Sequence, residues 1–241
     1  MAKSIRVAVV GSNGRMGQLA CDSIAKAAHM ELVARITRDD DLGTSLASSQ
    51  SEVALDLTVA GLGAAHARTI LECGVRAVIG TSGLRQGELQ ELQVLADQTH
   101  LGCLVVPNFC LGITIQQICA RLALRFCPAS GLDPVQVSIL EEHHPQKVDS
   151  PSGTSLWTAA LLEADGAGRV SIGSERREGV LANQTLTFAW GHESLDLAHR
   201  VTNREAFGPG MLLALQHVQT LEGLEVGLES AFGALLTEDS L

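Results

Sequence analysis

The stretch IRVAVVGSNGRMG, from Ile5 to Gly17, decides the fold of the first half of the chain. Its first six residues form a β-branched run that is typical of a buried parallel strand. The run leads directly into Gly11, Gly14 and Gly17, and the following residues have the pattern of a helix. Glycines at such a turn allow a tight bend, close approach of the main chain to a pyrophosphate, and close packing of helix on strand. The stretch therefore predicts a dinucleotide-binding unit, although its glycine spacing is G-x-x-G-x-x-G rather than G-x-G-x-x-G.

Strands and helices continue to alternate through the first half. The predicted strands after the first two are EVALDLTV (52–59), RAVIGTSG (76–83) and GCLVVPNF (102–109), and the helices between them are AHARTILECG and GELQELQVLADQT. Such a βαβ series predicts a parallel doubly wound sheet, which binds ligands at the carboxyl ends of its strands. Those ends carry residues 11–16, Thr58, the turn GTSG (80–83) and VPNF (106–109). We interpret GTSG as a cofactor contact, with a simple connection as the alternative.

The end of the second strand, MELVARIT (30–37), bears on the choice of cofactor. Domains that prefer NAD place an acidic residue about twenty positions after the glycines, where it binds the ribose 2′-hydroxyl. Here Thr37 stands at that position and Arg38 follows it. Threonine does not repel a 2′-phosphate and a guanidinium can bind one, so we predict that NADPH is preferred and that NADH is used more weakly. If the strand runs further, Asp39 can take the acidic role; Asp40 and Asp41 are interpreted as a solvated acidic loop.

The second half of the chain has a different pattern of predicted helices and strands. It predicts a helix (ITIQQICARLALRF), a strand (PVQVSILEEHH), a helix (SLWTAALLEA), three antiparallel strands (RVSIGSER, NQTLTFAW and ESLDLAHRVT) and a long helix (PGMLLALQHVQTLE). The expected fold class is α/β: a Rossmann-type doubly wound parallel sheet plus a second α+β domain with a mostly antiparallel sheet. We expect a dinucleotide-binding domain over residues 1–108, with about 212–241 packing back on it. Residues 109–211 should form a domain for substrate binding and oligomerisation.

The segment EEHHPQKVDSPSGT, from Glu141 to Thr154, has the composition of a reaction site for an anionic substrate. Lys147 is a cation, and His143 and His144 titrate near neutrality, so the cluster can attract a carboxylate and move a proton. The turn PSGT offers main-chain N–H groups that form an anion site if they open the following helix. Considered alone, two histidines and a lysine are more typical of a solvated loop. A metal site is the less favoured alternative, because adjacent residues on a strand point to opposite faces.

Composition limits the possible functions. The net charge of -10 and pI near 5.2 argue against nucleic-acid binding as the main task. We expect no membrane span and interpret MAKSIR as a start without a signal peptide, so the protein is expected in the cytoplasm. The six cysteines show no CxxC pairing, which indicates buried free thiols in a reducing compartment.

Taken together, GSNGRMG, GTSG, PNF, EEHHPQKVDSPSGT and HRVTNREAF resemble the dihydrodipicolinate reductase family over nearly the whole chain. The resemblance implies NAD(P)H-dependent reduction of 4-hydroxy-tetrahydrodipicolinate, a cyclic dicarboxylate, to tetrahydrodipicolinate in diaminopimelate and lysine biosynthesis. It implies that His143 is the catalytic acid/base, that Lys147 is the proton donor, and that His144, Gly153 and Thr154 bind the substrate. The cofactor residues that it implies are Gly11, Ser12, Asn13, Gly14, Arg15, Met16, Arg38, Gly80, Thr81, Ser82, Val106, Pro107, Asn108 and Phe109. It also implies a homotetramer built through the second domain's sheet; no metal is expected.

Some positions depart from the family pattern. Thr37 stands where an acidic residue is usual, Ser82 replaces a threonine, Cys110 replaces a serine, NQTLTF lacks a Gly-x-His, and Glu225 occupies the place of a tyrosine. Two other functions remain open at this point: an NADP-dependent dehydrogenase for another small amino or keto diacid, and a non-catalytic NADPH-binding sensor. The intact HHxxK argues against the sensor, because a binder needs no paired proton donors.

Overall fold

The computed structural model describes residues 4–81, 83–129, 131 and 135–235. The strands are β1 (Ile5–Val10), β2 (Met30–Ile36), β3 (Val53–Asp56), β4 (Arg76–Ile79), β5 (Gly102–Val105), β6 (Gln136–His143), β7 (Ser171–Arg176), β8 (Ala182–Trp190), β9 (Glu193–Val201) and β10 (Gly223–Val226). The α-helices are α1 (Arg15–Lys26), α2 (Leu42–Ser49), α3 (Gly63–Glu72), α4 (Gln86–Thr99), α5 (Leu111–Ala129), α6 (Gly153–Ala164) and α7 (Gly208–His217). Short 3₁₀ helices span Arg204–Phe207 and Glu229–Leu235.

The chain divides into two compact units. One comprises the chain up to Cys110 together with the chain from Phe207 onward, and the other runs from Leu111 to Ala206. The sequence-based boundaries assign residues 109–110 and 207–211 to the second domain, whereas these residues lie in the first unit. Close packing explains this placement. The ring of Phe109 covers Gly80, and Gly210 lies so close to the carbonyl group of Phe109 that a methyl group would overlap it.

The first unit is built on a parallel sheet with the strand order β10-β5-β4-β3-β1-β2. Every pair of neighbouring strands is parallel. The apolar runs of β1, β3 and β5 are buried because helices cover the sheet. Leu46 of α2, Ile70 of α3 and Leu92 of α4 pack in one cluster with Ala8 and its neighbours, and α1 contacts α7. This is the doubly wound fold that the sequence predicts.

The second unit has a four-stranded sheet with the order β7-β6-β8-β9. Strand β8 is antiparallel to β6 and to β9. Leu124 of α5 and Leu162 of α6 pack on the face that carries Ile139, Leu186 and Phe188. The sheet is therefore mostly antiparallel and covered by helices on the face that forms the core.

Strand β7 corrects one detail of the prediction, because it runs parallel to β6 rather than antiparallel. Helix α6 connects the two strands, and a strand–helix–strand crossover returns the chain in the same direction. The C-terminal helix also differs from its prediction over residues 209–222, since α7 ends at His217. Gly223 then adopts a φ of 86°, and β10 begins there and pairs with β5 at the edge of the sheet. Neither β10 nor α2 was predicted, because each is short and weakly patterned.

The described residues contain neither a membrane-spanning helix nor a metal-binding cluster. No helix there combines the length and the apolar character needed to cross a bilayer. No group of three or more His, Cys, Asp or Glu side chains in that part of the chain is placed to hold a metal ion. The six cysteines are free thiols, and the expectation that they are buried is wrong for Cys73 and Cys119, which are exposed.

Candidate active site

The glycine loop forms the turn between β1 and α1. Gly11 adopts a φ of 79°, in the left-handed region, and its N–H donates to the carbonyl oxygen of Ile36 at 2.9 Å. Gly17 lies against this turn, and a methyl group there would overlap the carbonyl oxygen of Gly11. Gly14 is the N-cap of α1 and supplies no side chain to the first turn. The free N–H groups of that turn can therefore bind a pyrophosphate.

The loop opens on a cavity of about 700 Å³ at the carboxyl ends of β1, β2 and β3. Three segments line this cavity. They are the glycine loop (Gly11, Asn13 and Gly14), the end of β2 (Thr37, Arg38, Asp39 and Asp40), and the chain beyond β3 (Val59, Leu62 and His66). The cavity combines a main-chain anion site, a polar strand end and apolar walls. A dinucleotide presents a pyrophosphate, a ribose and a purine, so these residues fit its adenosine half.

A second cavity of about 170 Å³ lies at the ends of β3, β4 and β5. Its lining includes Met16, Gly80, Pro107, Asn108 and Phe109, together with Leu57, Thr58 and Phe207. Leu57 and Thr58 line both cavities, so the two are adjacent. Most of the predicted cofactor residues of the first unit thus lie along one continuous edge of the sheet.

Four predicted cofactor residues line neither cavity, and Ser82 lies outside the described residues. The Ser12 hydroxyl is turned inward to the carbonyl oxygen of Ile36 at 3.3 Å, and Val106 is buried. Arg15 is exposed on the first turn of α1. The Thr81 hydroxyl is buried without a hydrogen-bond partner among the described residues. This hydroxyl lies against Gly63, where an added methyl group would overlap it, so it faces the interior rather than either cavity.

The acidic residues that follow β2 make local hydrogen bonds. The N–H and hydroxyl groups of Thr37 both donate to the carboxylate of Asp40, at 2.8 and 2.7 Å, and they lower the pKa of Asp40. Asp41 accepts from the N–H of Thr44 at 2.8 Å and caps α2. Arg38 is 93% exposed, with Nε 3.7 Å from Asp39. Asp40 and Asp41 are exposed, as expected for a solvated acidic loop, and each also accepts local hydrogen bonds.

A buried carboxylate and a histidine form a pair that the sequence analysis missed. Asp56 ends β3 and is fully buried, and it accepts from the N–H and hydroxyl groups of Thr58 at 2.9 and 2.6 Å. The Nδ1 atom of His66 lies 3.0 Å from the other carboxylate oxygen. This hydrogen bond raises the pKa of His66 against the opposing effect of burial. The pair therefore places, on the wall of the larger cavity, a histidine whose charged form is favoured by Asp56.

In the second unit, β6 delivers the histidines of the EEHH segment. His143 is its last residue, with a half-buried ring. The Nδ1 atom of His143 lies 3.9 Å from Glu141 and has no hydrogen-bond partner among the described residues. Burial and the nearby Lys147 lower the pKa of His143 below its ordinary value. Near neutral pH this imidazole is therefore uncharged and can accept or pass on a proton.

The chain between β6 and α6 brings the lysine back beside His143. The N–H of Lys147 donates to the carbonyl oxygen of His144 at 3.1 Å, and the His144 ring lies 3.1 Å from the amide oxygen of Gln146. Lys147 Nζ lies 2.9 Å from Asp149. Burial alone would raise the pKa of Asp149, but the Lys147 ammonium outweighs it and lowers the pKa. These contacts place a cation and two imidazoles in one short segment.

The PSGT turn opens a helix, as the sequence predicts. The peptide bond between Ser150 and Pro151 is cis, Ser152 is the N-cap of α6, and Gly153 and Thr154 form its first turn. The Ser152 hydroxyl accepts from the N–H of Ser155 at 3.2 Å. Gly153 and Thr154 therefore lie at a helix N-terminus, which favours a bound carboxylate.

A buried polar network supports this helix terminus. The Ser155 hydroxyl donates its proton to Glu141 at 2.6 Å, and its oxygen lies 2.9 Å from the amide oxygen of Gln184. The amide nitrogen of Gln184 in turn donates to Gln116 of α5 at 3.0 Å. Gln184 lies in the NQTLTF strand, where the Gly-x-His of the family pattern is missing, and here it is a buried link of the network. Sequence reasoning missed these residues, because isolated glutamines and serines carry no motif.

Comparisons with known proteins agree with this geometry. A family model described as dihydrodipicolinate reductase, N-terminus, matches residues 5–109, and one described as dihydrodipicolinate reductase, C-terminus, matches residues 112–230. The 4-hydroxy-tetrahydrodipicolinate reductase of Legionella pneumophila strain Philadelphia 1 is 36% identical over 244 residues, covering 93% of this chain and 98% of that protein. The enzyme of the same name from Moorella thermoacetica is 33% identical over 270 residues, covering 95% of this chain and 98% of that protein.

Solved structures give the same result. A dipicolinate-bound dihydrodipicolinate reductase from Paenisporosarcina sp. TG-14 matches with a TM-score of 0.78 and 29% identity, covering 94% of this chain and 99% of that chain. The apo scyllo-inositol dehydrogenase from Lactobacillus casei matches with a TM-score of 0.61 and 12% identity, covering 100% of this chain and 97% of that chain, and shares the fold alone. The two family models and the full-length relatives show that the chain belongs to the dihydrodipicolinate reductase family.

Proposed function

We propose that this protein reduces 4-hydroxy-tetrahydrodipicolinate to tetrahydrodipicolinate with a nicotinamide cofactor, in diaminopimelate and lysine biosynthesis. The observation that carries the proposal is the arrangement of the second unit, where His143, Lys147 and the N-terminus of α6 converge on one loop. This arrangement suits a ring with two carboxylates that gains a proton during reduction. The curated relatives named above carry the same activity in their names.

The residues of this chain bind the substrate and manage its proton. The N–H groups of Gly153 and Thr154, at the positive end of α6, bind one substrate carboxylate with the help of His144. The 4-hydroxyl group leaves as water, which gives a conjugated ring. Lys147 attracts this dianion and donates a proton to it as the hydride adds and negative charge develops there. His143, neutral because of burial and the nearby lysine, acts as acid/base beside it. The nicotinamide supplies the hydride when it is bound.

The cofactor preference is proposed to be NADPH over NADH. Arg38 lies at the end of β2 on the wall of the larger cavity, where a guanidinium can bind a 2′-phosphate. Thr37 is uncharged, so it does not repel that phosphate as a carboxylate would, although its hydroxyl proton is donated to Asp40. Asp39 and Asp40 oppose this preference, because they line the same wall. The attraction of Arg38 for the 2′-phosphate must therefore outweigh the repulsion from these two carboxylates. NADH is proposed to be a usable but weaker cofactor.

The protein is further proposed to form a homotetramer through the open face of the second unit's sheet. Leu140 on β6 is 42% exposed. It pairs with Gly173 of β7 on one side and with Thr185 of β8 on the other. Thr185 in turn pairs with Ala198 of β9. Small and apolar residues in one row suit packing of one sheet on another. Light scattering should give the mass of a tetramer, and Leu140→Arg should give smaller species. A monomeric wild type would contradict the proposal.

The cytoplasm is proposed as the place of action. Six free thiols fit a reducing compartment, in which NADPH and pathway intermediates are also available.

A coupled assay tests the function. Its substrate is generated from pyruvate and aspartate semialdehyde by the synthase, and cofactor absorbance is followed with NADPH and NADH in parallel. Oxidation that is faster with NADPH supports both the reaction and the cofactor preference. Faster oxidation of NADH would retain the reaction and overturn the preference. If neither cofactor is oxidised while NADPH still binds, a dehydrogenase for another diacid and an NADPH-binding sensor become the favoured alternatives. Binding of pyridine-2,6-dicarboxylate, a planar analogue of the cyclic product, separates the reductase from that dehydrogenase.

A further inference from the structure

The loop that carries Lys147, residues 144–152, has no apolar anchor. Its largest aliphatic side chain, Val148, is 96% exposed, and residues 145, 146, 149 and 150 are also exposed. A loop without buried apolar groups gains its order from polar contacts, since little hydrophobic free energy opposes its conformational entropy. Whatever groups make those contacts also decide where the Lys147 ammonium lies.

Arg176, the last residue of β7, makes the contacts on one side of this loop. Its Nε donates to the carbonyl oxygen of Lys147 at 3.1 Å, and its Nη2 donates to the carbonyl oxygen of Asp149. These two carbonyl groups flank the exposed Val148. The third nitrogen, Nη1, donates to the carbonyl oxygen of Glu175 at 3.0 Å on the strand itself. The planar guanidinium therefore joins the loop to β7 through main-chain groups, a geometry that lysine cannot reproduce.

Glu141 holds the other end of the loop. Its carboxylate is fully buried on β6, and both of its oxygens accept from the N–H of Ser152 at 3.0 Å. Burial alone would raise the pKa of Glu141, but hydrogen bonds from Ser152 and Ser155 outweigh it and lower the pKa, so the group is an anion. Its Oε1 lies 3.9 Å from the guanidinium of Arg176. Arg176 thus holds the middle of the loop and Glu141 holds its C-terminal end, with the two charged groups close to each other.

We propose that Arg176 is a positioning residue, which acts with Glu141 to hold the loop of residues 144–152 so that Lys147 points at the substrate. This inference rests on the proposed role of Lys147 as proton donor. Arg176 acts through the main chain of the loop, because each of its three nitrogens already donates to a main-chain carbonyl oxygen. Its loss should therefore affect the chemical step more than the binding of NADPH, since an error of about 1 Å in a reacting group can cost about 100-fold in rate.

The test compares Arg176→Ala with Arg177→Ala. Arg177 is the next residue, is exposed, and pairs with Glu142 at 2.8 Å rather than with the loop. We expect Arg176→Ala to lower kcat at least tenfold and to leave the Kd for NADPH unchanged. Added guanidinium, at a concentration well below that which unfolds the protein, should restore its activity several-fold. Arg177→Ala should keep the wild-type kcat and should not respond to guanidinium. Arg176→Lys should remain impaired, because an ammonium cannot bind both carbonyl groups in the fork geometry.

The outcomes separate this inference from the proposed function. A folded Arg176→Ala variant with kcat within twofold of wild type, or one that guanidinium does not rescue, overturns the positioning role and leaves the reductase function standing. If Arg176→Ala does not fold, Arg176→Lys replaces it, and wild-type kcat in that variant overturns the role. If the wild type has no reductase activity, the proposed function fails. Hydrogen exchange then still tests the loop, because residues 144–152 should exchange faster in Arg176→Ala than in Arg177→Ala, and equal rates would overturn the inference.

Discussion

Lys147 and Asp149 form an ion pair, with Nζ 2.9 Å from Oδ1, on the exposed loop between β6 and α6. The side chain of Lys147 is 23% exposed and that of Asp149 is 55% exposed, so water reaches the pair. A pair of this kind contributes little to stability, because solvent screens it. We expect the pair to matter for orientation, because Asp149 can hold the ammonium in place and a substrate carboxylate can compete for it.

Replacing Lys147 with alanine should abolish most of the activity. We expect kcat to fall by about two or more orders of magnitude, because both the proton donor and the charge beside the ring are lost. Steady-state kinetics measure this effect, and fluorescence titration should give an unchanged Kd for NADPH. Lys26→Ala, on the exposed end of α1, is the matched control and should behave as wild type. Near wild-type turnover in Lys147→Ala would contradict the assignment of Lys147 as the proton donor of the site.

Replacing Arg38 with alanine should reduce the preference for NADPH. A hydrogen bond to a charged group contributes roughly 1.5–3 kcal/mol, so the KM for NADPH should rise about tenfold or more while the KM for NADH changes little. Arg68→Ala is the control, since Arg68 pairs with Glu91 and lies outside both cavities. Equal changes with both cofactors would mean that Arg38 does not contact the 2′-phosphate.

The pair of Asp56 and His66 predicts a pH-dependent contribution to stability. The pKa of His66 is raised by its hydrogen bond to Asp56, so the folded state favours the imidazolium. This stabilisation is fully present below the ordinary pKa of histidine, and it is lost as the pH rises through the raised value in the folded protein. His66→Gln should therefore lower the melting temperature more at pH 5.5 than at pH 8.5, by about 2–4 °C if the charged bond contributes about 1 kcal/mol.

Thermal melts of wild type, His66→Gln and His192→Gln at the two pH values measure this difference. His192 is exposed in the second unit, so His192→Gln is the matched control. A larger effect of His66→Gln at pH 8.5 than at pH 5.5 would reverse the sign and contradict the charged pair.

Two helical glycines should respond oppositely to alanine. At Gly17 the methyl group would overlap the carbonyl oxygen of Gly11, so Gly17→Ala should destabilise the protein by roughly 1–3 kcal/mol and weaken NADPH binding. At Gly87 in α4 nothing lies within 4 Å, so Gly87→Ala should stabilise the protein by roughly 0.5–1 kcal/mol. Denaturant unfolding and cofactor titration measure both effects. Tight cofactor binding by Gly17→Ala would show that the glycine loop does not approach the cofactor closely.

The sequence by itself determined the parallel sheet, because the buried β-branched strands and the glycine turn at residues 11–17 are local patterns with few structural solutions. It also determined that the PSGT turn opens a helix and that the paired histidines stand at the end of a strand, since caps and strand ends are decided within a few residues. The family motifs followed from the same contiguous residues. These features could be predicted without knowing which residues pack against them.

The tertiary structure alone decided which distant residues support the site. Asp56 and His66 are ten positions apart, and Glu141 and Arg176 are thirty-five apart, so no periodicity joins them. Their roles follow from burial, because a buried charge must be hydrogen-bonded or paired, and only the folded chain brings the partners within reach. The direction of β7 and the exposure of Cys73 and Cys119 were decided in the same way, by contacts between segments far apart in the chain.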